Sequence, residues 1–456
     1  MQHCGRALAS WLLCGLAATG CVSAQTGQQL TRVQRASAPH VTRASASSER
    51  EPTLELPLRR AAVVKRVLEH SPTLSMLARR ARALVQAGHA EAALPSPELE
   101  FQAWNLPLAR PYAAGDADMY MLELRQRFPA GGVQDARARA MAEEAEGVLA
   151  ELAEEEAALA ARAENALTDY ALANAAQRVQ QQQLAQLERV RQAVQARIAT
   201  GGARLAEISR LDTEVAKAER ARIRSEGQLA EASAQLNALL GRPVGSELRT
   251  PAPLAVHTVR LPTTDLLKIA DEKRGLARGA RAKLRAAEAR GDAARATARR
   301  PEVMLGVGYW QEPRMRAGFG LSASTSLPWL WGPGRALERQ AEEEAAAERD
   351  ALRAASLVAR IEITELSARL QTLEREWQVV QRDALPAARR TVDAVTAAYA
   401  SGNGSLVEWV DSARSALDLE LEVLDLEAQL ARGVTGLERA VGSALRRTPL
   451  DSGVEP

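Results

Sequence analysis

The chain repeats itself at a spacing of 201 residues, without a gap. Under this shift Gly201 aligns with Gly402, and Gly241 aligns with Gly442. Helices rich in Ala, Glu and Leu match by accident, but accident would not align both glycine landmarks. The chain of 456 residues therefore consists of two copies of one unit, and its fold must be built twice from the same elements. Further matched pairs are Arg189/Arg390, Ala193/Ala394, Val194/Val395, Ala196/Ala397, Leu205/Leu406, Glu207/Glu408, Glu219/Glu420, Leu229/Leu430 and Leu236/Leu437.

Changes in amino-acid composition mark the boundaries of the segments outside these two copies. A proline-containing stretch without periodicity separates them, and a frayed tail follows the second. The predicted segments are a signal peptide at 1–20, a flexible tether at 21–52, repeat 1 at 53–241, a linker at 242–263, repeat 2 at 264–442 and the tail at 443–456.

Each copy has the same predicted order of elements: a helix, a pair of strands and a long helical hairpin. The first helices are expected at about 58–93 and about 265–299. The strand pairs are expected at about 97–128 and about 301–327, because alternating residues there lie between proline and glycine boundaries. Each helical hairpin turns at the aligned glycines.

The lengths of these elements restrict the architecture. The run from Gly132 to Thr200 has about 68 residues, so one continuous helix would be on the order of 100 Å long, a length that suits a conduit across a bacterial periplasm. Four strands of about 10 residues can cross a membrane but cannot close a barrel. The chain must therefore associate, and a trimer would give twelve strands. The predicted fold is mainly α with a small β-barrel portion, trimerising into a 12-stranded membrane β-barrel plus a long periplasmic α-helical barrel.

The helix after the second turn has two apolar stripes. At about 100° per residue, the side chains of Leu417, Leu421, Leu424 and Ala428 fall on one side, and those of Leu419, Val423, Leu426 and Leu430 fall on the opposite side. Acidic residues occupy both faces between the stripes. An ordinary surface helix has one apolar stripe. Two opposite stripes therefore predict a helix in the wall of a cylinder, where it contacts a neighbouring helix on each side.

The N-terminus has the features of a secretory signal peptide. Arg6 precedes an apolar stretch that is too short to span a bilayer and is followed by small residues. Two cleavage sites compete. The sequence up to Cys21 looks like a bacterial lipobox, which would leave Cys21 as a lipid-bearing first residue, whereas the small residues up to Ala24 would release the chain at Gln25. The segment that follows is rich in Ser, Ala, Arg and Thr, which favours a flexible tether.

Several functional classes are excluded by composition. The net charge of +2 gives no field of one sign, so no nucleic-acid partner is expected. All three cysteines lie at or before residue 21, which leaves the folded body without a disulfide or a thiolate metal site. The five histidines form no ligand cluster, and no nucleophile elbow or phosphate-binding loop is present. We expect neither catalytic residues nor a cofactor.

The residues of the second turn indicate a family. From Tyr399 to Asp411 they follow the pattern Tyr-x-x-Gly-x-x-Ser-x-x-acid-x-x-acid. This stretch, together with the duplicated helix and strand order, resembles the TolC-type outer membrane factor family over nearly the whole mature chain. Pro97 to Phe101 and Leu327-Pro328 look like the branch of that family that serves heavy-metal (cobalt-zinc-cadmium) efflux pumps.

The resemblance implies roles for particular residues. The turn would lie at the periplasmic tip, where the family narrows its pore and docks an adaptor protein. Glu408, Asp411 and Glu207 would be acids of the pore gate, with Tyr399 as a partner in the closed state. Relatives carry an Arg in this turn as part of a locking ion pair, and here that Arg is absent. The adaptor-docking tip would comprise Thr200, Gly201, Gly202, Ser401, Gly402, Asn403, Gly404 and Ser405.

The resemblance also implies an assembly. A homotrimer in the outer membrane, held by its lipid anchor and extending into the periplasm, would work with a periplasmic adaptor and an inner-membrane pump of the RND type to export small molecules or metal ions. The same duct could serve type I protein secretion. A different class, a periplasmic adaptor or structural coiled coil, is disfavoured because an adaptor would have one helical hairpin and a coiled coil would not need strands of membrane length.

Overall fold

The computed structural model describes residues 23–46, 58–106, 108–110, 112, 117–199, 204–312, 315–401 and 403–450. The elements in chain order are α1 Ala24–Ala46, α2 Arg60–Glu69, α3 Pro72–Ala92, β1 Glu98–Trp104, β2 Met119–Phe128, α4 Val133–Ala199, α5 Leu205–Leu239, β3 His257–Val259, α6 Thr263–Lys273, α7 Gly275–Arg299, β4 Val303–Gln311, β5 Gly318–Thr325, α8 Gly334–Val379, a π-helical turn Val380–Ala384, α9 Leu385–Ala400, α10 Leu406–Val441 and β6 Arg447–Pro449.

These elements form two compact units. Unit 1 consists of the described parts of Met1–Val41, Met76–Glu151 and Leu276–Ala355. Unit 2 consists of the described parts of Thr42–Ser75, Leu152–Gly275 and Ser356–Pro456. The predicted duplication is visible in both, because each unit contains corresponding segments of the two copies.

Unit 1 contains a four-stranded antiparallel sheet with the order β1-β2-β4-β5. The two predicted strand pairs are therefore present, and the β2–β4 pairing joins them across the two copies, with Leu122 opposite Tyr309. Strands β1 and β5 lie at the edges of the sheet. The helices connect to one end of the sheet, because α4 and α8 follow the ends of β2 and β5, and β1 and β4 follow α3 and α7.

The first helix of each copy is interrupted, which the sequence analysis missed. In the first copy α2 ends at Glu69 and α3 begins at Pro72, because a residue that precedes proline is disfavoured in the helical region. In the second copy α6 and α7 are separated by Arg274, which is extended at ψ 130°. The Arg274 side chain is buried, and its Nη2 lies 2.7 Å from Glu362 Oε2, an ion pair that fixes this break.

A helix, α1, occupies most of the predicted flexible tether, so that prediction is wrong for Ala24–Ala46. One face of α1 is buried in unit 1 at Thr26, Leu30, Val33 and Ser37, which recur at helical spacing. The pattern was overlooked because two of the four residues are polar. The signal peptide at 1–20, Cys21 and residues 47–52 lie outside the described residues.

The long helix of the first copy is continuous, as predicted, since α4 has 67 residues. In the second copy the corresponding run is broken by the π-helical turn that ends at Ala384, just before Pro386. Proline lacks the backbone N–H of the α-helical ladder, and a π-turn is a common way to absorb that loss within a long helix.

The linker and the tail are more ordered than predicted. Strand β3 from the linker pairs antiparallel with β6 from the tail, with Thr258 opposite Thr448. Arg447 of β6 lies 2.9 Å from Glu164 Oε2 and 2.5 Å from Glu438 Oε2, and both carboxylates are buried. The prediction of a frayed tail is therefore wrong for Arg447–Pro449, because paired charges hold that segment in unit 2.

Candidate functional site

The turn between α9 and α10 is tight and well capped. The carbonyl oxygen of Ala398 accepts hydrogen bonds from the backbone N–H groups of Asn403 (3.0 Å) and Gly404 (2.9 Å). The Ser405 Oγ accepts from the N–H of Val407 (3.2 Å), which makes Ser405 the N-cap of α10. The described residues of the predicted docking tip, Ser401, Asn403, Gly404 and Ser405, thus form one compact turn.

A hydrophobic cluster lies beneath this turn and joins the two helical hairpins. Trp409 is almost fully buried, and its Nε1 donates to Thr396 Oγ1 (2.9 Å). Because the cluster draws on α4, α5 and α10, the residues of both copies are held together at this position. Its buried members are Leu187, Val194, Leu211, Ala218, Leu406, Trp409, Val410 and Ala413.

Tyr399 is the centre of a small polar network at the edge of the cluster. Its hydroxyl donates to Glu207 Oε2 (3.3 Å), so the structure brings together two of the predicted gate residues. Arg197 lies over the Tyr399 ring, with Cζ 4.9 Å from the centroid, and its Nη1 donates to the Tyr399 carbonyl oxygen (3.2 Å). Burial and the nearby Glu207 carboxylate raise the pKa of Tyr399, so its hydroxyl is a proton donor at neutral pH.

The other two predicted gate acids differ in their surroundings. Asp411 Oδ1 lies 3.8 Å from Arg210 Nη2, and both side chains are exposed. Glu408 is exposed, and it forms no ion pair with any other residue that the structure describes. Sequence analysis missed Arg197 and Arg210. Arg210 could have been found from the repeat, because it aligns with Asp411 under the 201-residue shift.

Five of the predicted site residues lie outside the part of the chain that the structure describes. These are Cys21, Thr200, Gly201, Gly202 and Gly402.

The sheet of unit 1 has two faces of opposite character. One face is formed by alternate residues of all four strands that are opposite one another in the register, and its large apolar side chains are exposed. A soluble protein would bury such a patch, so this face needs an apolar environment. Its exposed side chains are Leu99, Phe101, Leu122, Leu124, Phe128, Val303, Leu305, Val307, Tyr309, Phe319 and Leu321.

The other face carries charged and polar residues, glycines, methionines and tryptophans. Glu123 accepts a hydrogen bond from Ser322 Oγ (2.5 Å) and lies 2.9 Å from Arg125 Nη2, and Arg125 also pairs with Glu100. A Cβ at Gly306 would overlap Ser322 and Glu123, so glycine allows these side chains to meet above β4. A hydrated surface suits this face.

Exposed tryptophans follow the end of β5. Trp329 and Trp331 lie in the turn before α8, and both are more than half exposed. Arg300 lies beside this end of the sheet, where its Nη1 donates to the carbonyl oxygen of Gly131 (2.5 Å). Tryptophan and arginine side chains at the end of an apolar sheet are typical of a membrane–water boundary.

The two stripes of α10 differ in burial. In one stripe Val423, Leu426 and Leu430 are buried within unit 2 and Leu419 is partly exposed. In the other, Leu417, Leu421 and Leu424 are only partly covered and Ala428 is buried. The stripe that contains Leu417, Leu421 and Leu424 therefore has room for a further partner.

Two other properties bear on function. Among the described residues, no helix combines the length and the hydropathy needed to cross a bilayer. The same residues contain no group of three His, Cys, Asp or Glu side chains placed to hold a metal ion.

The fold is that of bacterial outer-membrane channels. CusC is 18% identical, with a TM-score of 0.72 and coverage of 87% of this chain and 96% of that one. MtrE of Neisseria gonorrhoeae is 20% identical, with a TM-score of 0.71 and coverage of 84% and 89%. VceC of Vibrio cholerae is 18% identical, with a TM-score of 0.69 and coverage of 85% and 97%.

Residues 268–443 match the model of the family described as outer membrane efflux protein. The predicted TolC-type family is thereby confirmed, and an outer-membrane location agrees with these relatives. CusC and MtrE are described as channels, which agrees with the prediction of a protein that is not an enzyme. The chain has no significant sequence match among curated proteins.

Proposed function

We propose that this protein is the channel subunit of a tripartite efflux system. It would export small molecules or metal ions across the periplasm and the outer membrane, with a periplasmic adaptor and an inner-membrane pump of the RND type. The observation that carries this proposal is the sheet of unit 1, because an exposed apolar face and a polar face on the same four strands suit a wall between lipid and an aqueous lumen.

The free edges of the sheet support a trimer. Strands β1 and β5 would leave backbone N–H and C=O groups without partners inside a bilayer, where each such group costs several kcal/mol. Pairing of β5 with β1 of the next subunit would satisfy them, and three chains would supply twelve strands. The partly covered stripe of Leu417, Leu421 and Leu424 offers a helical contact for the same assembly.

The tip of the hairpins suits a gate. Exposed Glu408 and Asp411, repeated from three subunits around an axis, would repel one another and attract cations. Arg210 pairs with Asp411, whereas Glu408 forms no ion pair with any other described residue. The exposed turn Ser401–Ser405 would be the surface that docks the adaptor. A lipid on Cys21 would anchor each subunit to the membrane.

Two adjacent residues of β5 test the orientation of the sheet. Ala323 lies on the apolar face and Ser324 on the polar face. Arginine on a lipid-facing position costs about 2–4 kcal/mol at the bilayer midplane and less near its edge. We expect Ala323→Arg to reduce the amount of folded trimer in the outer membrane severalfold, and Ser324→Arg to leave it unchanged. Equal loss in both variants, or a stable monomer without membrane fractionation, would contradict the proposal.

The class of cargo is tested separately. Deletion of the gene should sensitise the cell to the exported compounds, and comparison across metals, drugs and secreted proteins distinguishes efflux from protein secretion.

A further inference from the structure

The polar face of the sheet carries an aromatic surface at the end away from the helices. Trp104 of β1 is opposite Met119, and Trp310 of β4 is opposite Met121, so the two methionines of β2 lie between the tryptophans. Neighbouring strands are about 4.8 Å apart, which places β1 and β4 about 10 Å apart. These four residues, the aromatic platform, therefore offer a surface wide enough for a flat molecule of two or three fused rings.

Two glycines of β5 allow the Trp310 indole to lie flat on the sheet. A Cβ at Gly318 would lie 2.6 Å from Trp310 Nε1, and a Cβ at Gly320 would overlap the six-membered ring. Glycines within a strand commonly mark such a close approach. One face of the indole therefore covers β5, and because Trp310 is only partly buried, its other face is open to a ligand.

A chain of side-chain hydrogen bonds orients Trp104. Its Nε1 donates to Gln102 Oε1 (2.9 Å), and Gln102 Nε2 donates to Glu100 Oε1. Alternate residues of a strand share one face, so all three side chains lie on the polar face. Trp104 is 53% exposed. Because its N–H is already engaged, the part of Trp104 that remains for a ligand is the face of the ring.

The platform is distinct from the aromatic residues of the apolar face. There Phe101 stacks on Tyr120, with ring centroids 6.3 Å apart, and Tyr309 contacts Phe319, with centroids 5.4 Å apart. These four residues alternate with the platform residues along the strands, so they lie on the opposite side of the sheet. Contact with lipid therefore does not account for Trp104 and Trp310.

Carboxylates border the platform. Glu100 and Glu123 are opposite one another, two residues along their strands from the platform and nearer to the helices. Both pair with one guanidinium, that of Arg125, so this row has an excess of one negative charge. The only other ionisable strand residues of this face that the structure describes, Glu98 and Arg127, have opposite charges. The excess would attract a cation on the platform and repel an anion.

We propose that the aromatic platform is a transit subsite for flat aromatic cations. The face of tryptophan attracts cations more strongly than that of any other side chain, and the polarizable thioethers of Met119 and Met121 adapt to a flat ligand. This inference rests on the proposed function, in which the polar face borders the aqueous lumen and the platform lies near its exit. Passage requires binding weak enough for release, which suits an open surface.

Binding of N-methylacridinium to the full-length protein, purified in detergent, tests the platform. This cation has three fused rings, and acridine in mildly alkaline buffer is its neutral analogue. We expect Trp104→Leu and Trp310→Leu each to weaken binding of the cation about fivefold, measured by titration of ligand fluorescence. Trp104→Leu decides the result if Trp310→Leu does not fold, because Trp104 is exposed. Unchanged binding in Trp104→Leu would overturn the proposal.

The charge requirement is tested at Glu100. Glu100→Gln should weaken binding of N-methylacridinium severalfold and leave binding of neutral acridine unchanged. Glu302→Gln is the matched control, since Glu302 lies at the helical end of the sheet and pairs with Arg127 (3.3 Å), so it should leave both unchanged. Equal affinity of wild type for the cation and for neutral acridine would overturn the proposal.

Conductance in planar bilayers separates this inference from the proposed function. N-methylacridinium should reduce the conductance of wild type and reduce that of Trp104→Leu less. A channel that conducts but is not blocked by the cation would overturn the subsite alone. A protein that binds the cation with the expected dependence on Trp104 and Glu100 but does not conduct would support the platform as a binding site and contradict the proposed function.

Discussion

Arg210 and Asp411 form an ion pair of 3.8 Å although they occupy the same position in the two copies of the repeat. The duplication therefore places opposite charges at equivalent points of α5 and α10, close to the turn between α9 and α10. An Arg of the other hairpin is thus placed to pair with the acid that follows the turn.

Reversal of this pair tests whether it holds the gate closed. Both side chains are exposed, so the pair contributes about 1 kcal/mol or less, and its loss should raise the open fraction about fivefold at most. We expect Asp411→Arg to increase conductance in planar bilayers, and the double variant Arg210→Asp with Asp411→Arg to return it toward wild type. If the double variant conducts like Asp411→Arg alone, the two residues do not act as a pair.

Tyr399 should contribute through its hydroxyl as well as its ring. Tyr399→Phe removes the hydrogen bond to Glu207 but keeps the ring beneath Arg197, so we expect a loss of about 1 kcal/mol in unfolding free energy. Because the pKa of Tyr399 is raised, its contribution is present below the ordinary tyrosine pKa and is lost as pH rises through the raised value. Thermal unfolding between neutral and alkaline pH checks this, and Tyr399→Phe should show a smaller alkaline loss than wild type.

Gly404 should tolerate no side chain. A Cβ at this position would lie 2.6 Å from the backbone nitrogen of Tyr399, so Gly404→Ala should destabilise the turn by about 1–3 kcal/mol. Gly227→Ala is the control. Gly227 lies inside α5 with open space around it, and alanine there should stabilise the helix by about 0.5–1 kcal/mol. Hydrogen exchange of α9 and α10 measures the first effect, and hydrogen exchange of α5 measures the second. Unchanged exchange of α9 and α10 in Gly404→Ala would contradict the tight turn.

Arg447 should anchor the C-terminal strand. Arg447→Gln would leave the buried Glu164 and Glu438 with Arg60 as their remaining arginine, at a cost of about 3 kcal/mol. Although burial opposes it, Arg447 lowers the pKa of Glu438, so this stability is present above the ordinary carboxyl pKa and is lost as pH falls through the lowered value. The difference between wild type and variant in thermal unfolding should therefore shrink in acid. Arg446→Gln, at the exposed neighbouring position, should have no effect.

Much of the fold follows from the sequence because its signals are periodic. The aligned glycines, the proline-bounded strands and the length of α4 predicted the order of elements. The N-terminal helix was missed because Thr26 and Ser37 complete its buried face. With polar residues at these positions, the apolar residues alone do not show the helical periodicity. Strands β3 and β6 were missed because three residues carry no periodicity and their partners lie far apart in the chain.

The candidate site was predictable to a smaller extent. Glu408, Asp411 and Tyr399 belong to a continuous motif, so the sequence predicts them directly. Their partners Arg197 and Arg210 come from the other copy, and only the packing of α4 and α5 against α10 brings them near. The opposite faces of the sheet depend on the register between β2 and β4, which the sequence does not specify.

The pairing of β2 with β4 has a consequence for how such a chain could assemble. It joins the second strand of one hairpin to the first strand of the next, and the free edges, β5 and β1, are again a second and a first strand. A β5–β1 pairing between subunits would therefore be quasi-equivalent to the β2–β4 pairing inside each subunit. Three chains would form six similar strand pairings. Only the three pairings within chains join strands that the linker connects covalently, so a closed ring would separate between chains first.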